Sequence, residues 1–172
     1  GQYNTLLGGA AADALTVGGS NVVVGVDALG ADTKGSRAVA VGMNALLSQN
    51  FTSATNGYNV GVGYGAGQSI TTGIQNVIVG GQAGDALTDA DDNVAFGYLA
   101  LTSDRKGNKT TAIGRGALGS QDFSGSTDSH NTAVGYFAGQ QLTTATNTTI
   151  LGSLAGDAIT TANNNTCLGY AA

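Results

Sequence analysis

The chain has 172 residues and a formal net charge of -5, and it contains 29 Gly, no Pro, no Trp and only four Phe. So few large apolar residues argue against a conventional globular core, since such side chains supply most of the burial energy, at roughly 25 cal/mol per Å². The negative charge argues against nucleic acid as a partner.

The first regular feature along the chain is a glycine, here called the marker glycine, that recurs at a constant interval, as from Gly8 to Gly25 and from Gly25 to Gly42. Two gaps are four positions longer, and they are separated by a longer period of four repeats. Such self-similarity is typical of stacked repeat architectures. We predict a single array over residues 1–172, with long-period units 1–72, 73–144 and 145–172, and we expect it to be a piece of a longer fibre. The marker glycines are Gly8, Gly25, Gly42, Gly63, Gly80, Gly97, Gly114, Gly135, Gly152 and Gly169.

The residues before each marker glycine have the pattern of a β-strand. The residue three before it is always Val or Thr and the residue directly before it is always apolar, so these two share one strand face. The residue between them is small or apolar, which makes the opposite face dry as well. We interpret one face as lining the coil of its own chain and the small face as covered by a second chain at a crowded symmetry axis. The pattern predicts an all-β solenoid or β-roll of ten stacked coils, each as long as one interval between marker glycines, that forms a homo-oligomer.

Two further columns of identical residues accompany the strand. Alanine stands three residues after the marker glycine in all ten repeats. We expect the narrow side of the solenoid that these alanines line to pack against sister chains. Asparagine stands four residues before the glycine in seven repeats, where stacked amides can hydrogen-bond along the column. The alanine column is Ala11, Ala28, Ala45, Ala66, Ala83, Ala100, Ala117, Ala138, Ala155 and Ala172, and the asparagine column is Asn4, Asn21, Asn59, Asn76, Asn93, Asn131 and Asn165.

The second half of each repeat carries weaker signals. An apolar residue followed by Thr, as at Leu15 and Thr16, predicts a second short strand. The four additional residues of the longer repeats are expected to form protruding loops. Each loop contains one phenylalanine, so Phe51 and Phe123 are candidate contact residues, although packing of each ring over its own coil is the favoured interpretation.

Charged residues test the stacking register. Asp89 precedes Lys106 by one short repeat interval, and Asp92 precedes Lys109 by the same interval. Stacked coils therefore place each of these acids beside a base, which we expect to set register more than strength.

Residues for catalysis or metal binding are scarce. His130 is the only histidine, and Cys167 occupies a strand position that holds small or apolar residues in the other repeats, so no Ser-His-Asp or Cys-His relay is expected and we predict no enzyme activity. Asp13, Asp85 and Asp157 recur with the long period, but the repeat pattern of calcium β-rolls is absent. We expect no cofactor, with calcium as a minor alternative to solvated turn aspartates.

Residues 131–139, with the sequence Asn-Thr-Ala-Val-Gly-Tyr-Phe-Ala-Gly, and residues 165–172 resemble the N-T-A-hydrophobic-G-Y-x-A repeats of bacteriophage tail fibres. They resemble more loosely the head repeats of trimeric autotransporter adhesins. The resemblance covers all ten repeats, with the tyrosine present at Tyr64, Tyr98, Tyr136 and Tyr170. It implies an intertwined or side-by-side homotrimer, a left-handed β-roll-like shaft on a virion tail or at a cell surface.

These observations lead to a structural hypothesis for the function. We expect the extracellular shaft of a fibrous attachment protein, a phage tail fibre or a bacterial adhesin, that presents loops or a distal tip to a receptor. Its partners are then further copies of itself and a surface glycan or receptor, without nucleic acid or membrane insertion. The alternatives are a monomeric solenoid that binds ice through its threonine columns or binds a glycan, and an enzyme built on a β-helix, for which no paired carboxylates recur beside a groove.

Overall fold

The computed structural model describes all residues from Gly1 to Ala172. It contains fourteen short strands and no helix, and therefore no helix long and apolar enough to cross a membrane. The strands are β1 (Thr5–Leu7), β2 (Val22–Val24), β3 (Gly35–Ser36), β4 (Val39–Val41), β5 (Thr55–Asn56), β6 (Val60–Val62), β7 (Val77–Val79), β8 (Val94–Phe96), β9 (Gly107–Asn108), β10 (Thr111–Ile113), β11 (Thr127–Asp128), β12 (Thr132–Val134), β13 (Thr149–Leu151) and β14 (Thr166–Leu168).

The ten longer strands form one parallel sheet, and each strand pairs with its equivalent in the next repeat. Thr5 lies opposite Val22, and Val39 lies opposite Val60 across one of the longer repeats. Because parallel neighbours in perfect repeat register require one full turn of chain between them, the chain is a β-solenoid of ten coils. The predicted all-β solenoid is confirmed. Two small parallel sheets, β3 with β5 and β9 with β11, lie beside the longer repeats.

The marker glycines are required where the coils touch. All ten have φ between +127° and +143°, a region that side chains rarely adopt. A Cβ added to Gly80 would lie 2.5 Å from the carbonyl oxygen of Gly97. The backbones of successive coils are therefore in direct contact at this column, and no side chain fits between them.

The interior of the coils is filled by the small residues, which corrects the interpretation that they face sister chains. In the eight inner strands of the ten-stranded sheet the middle residue, such as Ala40 or Ala95, is fully buried, and so is the alanine column from Ala28 to Ala155. The physical reason is the narrowness of the coil: a Cβ added to Gly61 would lie 2.8 Å from Cγ of Leu46. A large residue at Gly61 would collide with Leu46, whereas Ile78 is accommodated where Gly84 occupies the repeat position of Leu46.

The asparagine column also points inward, but its amides bond mainly to backbone. The backbone N–H of Asn76 donates to Oδ1 of Asn59 at 2.9 Å, and Nδ2 of Asn76 donates to the carbonyl of Ala90 at 2.8 Å. Only Asn59 and Asn76 make an amide-to-amide contact within the column, at 3.2 Å. The column thus joins neighbouring coils by side-chain-to-backbone bonds rather than by the expected amide ladder.

The predicted second strand after the alanine is wrong. At Thr16 the backbone N–H and the hydroxyl both donate to the carbonyl of Thr33, at 2.9 Å and 2.8 Å. Both donors converge on a single carbonyl, and no strand is formed in this segment in any coil.

The contact at the marker glycines can be tested with two adjacent glycines. Gly80→Ala introduces a Cβ against the next coil and a disfavoured φ, and should lower the free energy of unfolding by about 3 kcal/mol or more. Gly81→Ala is the matched control, because its Cβ would meet only Tyr98, at 3.4 Å. It should change stability by less than about 0.5 kcal/mol. Denaturant unfolding followed by circular dichroism measures both, and equal stabilities would contradict the direct backbone contact.

Candidate functional site

The outer face of the ten-stranded sheet is largely apolar, and its residues are half-buried or exposed on the single chain. It consists of the residues one and three before each marker glycine, here called the outer strand columns. Phe96 is 53% exposed, and Val77, Ile113 and Leu151 are exposed as well. The face runs along all ten strands, about 43 Å at a strand spacing of about 4.8 Å. A solvated sheet face ordinarily carries polar residues, and an apolar patch of this extent is typical of an interaction surface.

A row of tyrosines lies directly beyond the strands, at the residue after the marker glycine. The row occupies alternate coils: Tyr64, Tyr98 and Tyr136 are 52%, 49% and 48% exposed, and Tyr170 follows in the last coil. In the coils between them, the equivalent residues are Gly81, Arg115 and Ser153.

The intervening residues hold the rings of this row in place. The Cβ that Gly81 lacks would lie 3.4 Å from Cδ2 of Tyr98, so this ring leans over the glycine of the preceding coil. The Arg115 guanidinium lies 5.7 Å from the ring centroid of Tyr98 and 5.9 Å from that of Tyr136. Arg115 also lies 5.4 Å from Phe137, within the range of cation–π contacts. The rings of Tyr98 and Tyr136 are therefore packed on one side and open to solvent on another.

Ion pairs lie on a different side of the solenoid and only partly follow the predicted register. Lys106 Nζ lies 3.5 Å from Asp89 Oδ2, as the spacing of one repeat predicts. Lys109 pairs with Asp128 at 2.5 Å instead of with Asp92, so this prediction is wrong. The loop of the longer repeat brings Asp128 close enough to compete for the ammonium group.

The pKa shifts on this side follow from these contacts. A hydrogen bond from Thr88 is the main cause that lowers the pKa of Asp89. The hydrogen bond between Lys109 and Asp128 lowers the pKa of the acid and raises that of the base. Arg105 donates to both carboxylate oxygens of Asp122, which raises the pKa of the guanidinium.

Asp91 shifts in the opposite direction from the paired acids. Burial is the main cause that raises the pKa of its carboxyl group, and the neighbouring charges of Asp92 and Asp89 add to the effect. The carboxylate nevertheless accepts a hydrogen bond from the backbone N–H of Ile74 at 2.8 Å.

The candidate contact residues of the two loops are buried. Phe51 and Phe123 are only 4% and 6% exposed. A Cβ on Gly35 would lie 2.9 Å from the Phe51 ring and one on Gly57 would lie 3.0 Å from it, so two glycines make room for the aromatic side chain. The exposed parts of the loops are their tips, residues 52–54 and 124–126.

A buried polar network beneath each loop was missed by the sequence analysis. Asp32 is fully buried, and its Oδ1 accepts backbone N–H bonds from Lys34, Gly35 and Phe51. Its Oδ2 accepts the Gln49 amide at 2.6 Å. Asp104 and Gln121 repeat this arrangement one long period later.

The network extends into the asparagine column and leaves no orphaned group. Gln49 Oε1 accepts Nδ2 of Asn59 at 2.8 Å, and Gln121 Oε1 accepts Nδ2 of Asn131 at 2.8 Å. No buried side-chain nitrogen or oxygen in the chain lacks a partner. The signal was present in the sequence: Asp32 and Gln49 stand at a repeat position that holds Leu or Ile in five other coils, such as Leu87.

The residues considered for metal binding, catalysis and ice binding are dispersed. No three His, Cys, Asp or Glu side chains are grouped so that they could hold a metal ion. The Asp85 carboxylate accepts the hydroxyl of Thr102 at 2.6 Å, and Cys167 is half-buried in the last strand. The threonines that follow the apolar residue after each alanine use their hydroxyls within the solenoid: those of Thr16 and Thr143 both donate to carbonyls of the next coil.

Comparison of the chain with protein-family models, with curated proteins and with solved structures finds no match. The functional inference therefore depends on the geometry of the coils and of their outer surface.

The polar network can be tested by exchanging its donor and acceptor groups. Asp32→Asn replaces one accepting oxygen with an NH₂ group. In either orientation of the new amide, this NH₂ donor faces another donor, which is the Gln49 NH₂ group or the backbone N–H groups. We expect a loss of about 1–3 kcal/mol in the free energy of unfolding. Adding Gln49→Glu supplies a carboxylate that accepts hydrogen bonds from the amide at position 32 and from the Asn59 amide. The double variant should therefore recover much of the lost free energy of unfolding.

Denaturant unfolding of the two single variants, the double variant and Asp157→Asn completes this test. Asp157 is exposed and serves as the control for loss of a charge. Additive effects at positions 32 and 49, with no recovery in the double variant, would show that the buried pair does not couple the coils.

Proposed function

We propose that this chain is the shaft of a fibrous attachment protein, assembled as a homotrimer, on a phage tail or at a bacterial surface. The observation that carries the proposal is the outer face of the sheet, where the residue before each marker glycine is apolar in all ten coils and is half-buried or exposed on the single chain. The resemblance of the repeats to tail-fibre repeats supports the trimeric state and the extracellular location.

The core of each coil is already complete, so the outer face is free to serve assembly. The buried columns fill the interior with Ala, Val, Ile and Leu, whereas Val77, Phe96 and their equivalents project from the other side of the same strands. Covering these residues removes apolar surface from water, at roughly 25 cal/mol per Å². Sister chains are well suited to do so, because every coil offers the same columns at the same spacing.

The fold also has the mechanical character of a shaft. The chain makes 100 backbone–backbone hydrogen bonds, most of which join one coil to the next. Neighbouring coils contact each other through backbone at the marker glycines, so the stack has little room to bend or slide. Length can be added coil by coil without changing the interface. Exposed loop tips recur every fourth coil, where they are available for contact with a surface.

Oligomeric state tests this proposal directly. Sedimentation or light scattering should give three times the 16.8 kDa chain mass. Phe96→Lys places a charge on the outer face, which an isolated coil tolerates because the side chain is 53% exposed. In an assembled trimer the same charge would be desolvated, so we expect trimer formation to weaken by at least about tenfold.

Thr72→Lys is the matched control for this variant. Thr72 is exposed on another side of the solenoid, and Lys34 and Lys106 occupy the same repeat position in other coils. Circular dichroism should show the same β-structure in all three proteins. A wild-type monomer at tens of micromolar, or equal assembly of the two lysine variants, would overturn the proposed trimer.

A further inference from the structure

We propose that the tyrosine row binds an extended, uncharged β-1,4-linked polysaccharide chain that lies along the solenoid axis. The inference rests on the proposed attachment role, since it assigns to the shaft itself a class of surface ligand. The row is formed by Tyr64, Tyr98, Tyr136 and Tyr170.

The spacing of the row is the first argument. Successive tyrosines are two coils apart, which corresponds to about 9.6 Å along the axis. In an extended β-1,4-linked chain each hexopyranose is rotated by about half a turn relative to the last, so the same ring face recurs at every second sugar, at nearly this interval. Four tyrosines spanning six coil steps therefore meet equivalent faces of one straight chain. An α-1,4-linked chain curls into a helix and does not keep this register.

The setting of the rings is the second argument. Tyr98 leans over Gly81, and Arg115 fills the space between Tyr98 and Tyr136. Rings supported in this way lose little conformational entropy on binding, and an aromatic face with a polar hydroxyl at its end suits a ligand that has apolar C–H faces and polar edges. An all-equatorial β-1,4-linked hexose has that character, as its axial C–H groups form the two faces and its hydroxyls the rim.

The charge of the row is the third argument. Arg115 is the only charged residue at this repeat position in any of the ten coils, and it is engaged with three aromatic rings. Acidic side chains make up most of the charge elsewhere on this chain, whose net charge is -5. These features favour a neutral glycan, of the cellulose or the chitin type, over an acidic one.

Depletion binding to insoluble polysaccharides tests the inference with the purified full chain. Cellulose and chitin are the two β-1,4-linked probes, and insoluble amylose is the α-linked control. We expect saturable binding to at least one β-linked probe and at least about tenfold weaker binding to amylose. Tyr98→Ala combined with Tyr136→Ala should weaken binding by at least about tenfold, as truncation of aromatic anchors does. The corresponding double exchange to Phe should retain binding.

Tyr58→Ala is the matched control, since Tyr58 is 46% exposed but lies outside the row, beside Arg37. Absence of binding to both β-linked probes, equal binding to amylose, or an equal loss with Tyr58→Ala would overturn the inference. Light scattering of every variant separates this result from the proposed assembly. A trimer that binds no glycan overturns only the glycan site, and a monomer that binds overturns only the trimer. Tyrosine variants that fall apart into monomers would assign the row to the subunit interface instead.

Discussion

The contact between backbones at the marker glycines determines the rest of this structure. A Cβ on Gly80 would lie 2.5 Å from a carbonyl oxygen of the next coil, and the other internal marker glycines have equivalent contacts. Because the backbones touch, the distance between coils is fixed by the chain itself and cannot vary with side-chain size. Residues at the same repeat position therefore stack on one another, and outside the loops of the longer repeats each position becomes a column. The columns of alanine, asparagine and tyrosine are consequences of this contact.

Close stacking places small and polar residues in the interior beside the apolar core. The interior is too narrow for many large side chains, so it holds alanine together with fully buried polar residues such as Asn76 and Asp32, all of which have hydrogen-bond partners. Larger apolar residues such as Phe96 are displaced to the outer face of the sheet. The coils are then joined both by hydrogen bonds and by a buried apolar cluster, and further apolar area remains on the surface. The exposed apolar residues of such a chain are available for contact with another molecule.

The period of the marker glycine was sufficient to predict the coils and the ten strands of the main sheet with their register, because spacing alone fixes which of these residues stack. It was not sufficient to predict which strand face is inside. Both faces are dry in sequence, and the small residues at Ala40 and Ala95 were interpreted as a symmetry axis when they instead face leucines across their own coil. That distinction depends on the width of the coil, which no spacing reveals. Asp32 and Gln49 were missed because their role depends on a loop that only the folded chain brings over them.

The two exposed columns have different periods, and the partners proposed for them differ for that reason. The outer strand columns repeat with every coil, so a second copy of this chain matches them at every step, whereas an unrelated globular surface matches at one point only. The tyrosine row repeats with every second coil, since Gly81, Arg115 and Ser153 interrupt it. A partner for that row must itself be linear and must alternate with a period of two coil spacings, about 9.6 Å. Affinity for such a ligand grows with the number of coils engaged, because each added pair of coils contributes another ring at nearly fixed geometry. A rigid solenoid can therefore combine weak individual contacts into firm attachment, which a flexible linker of the same composition could not do.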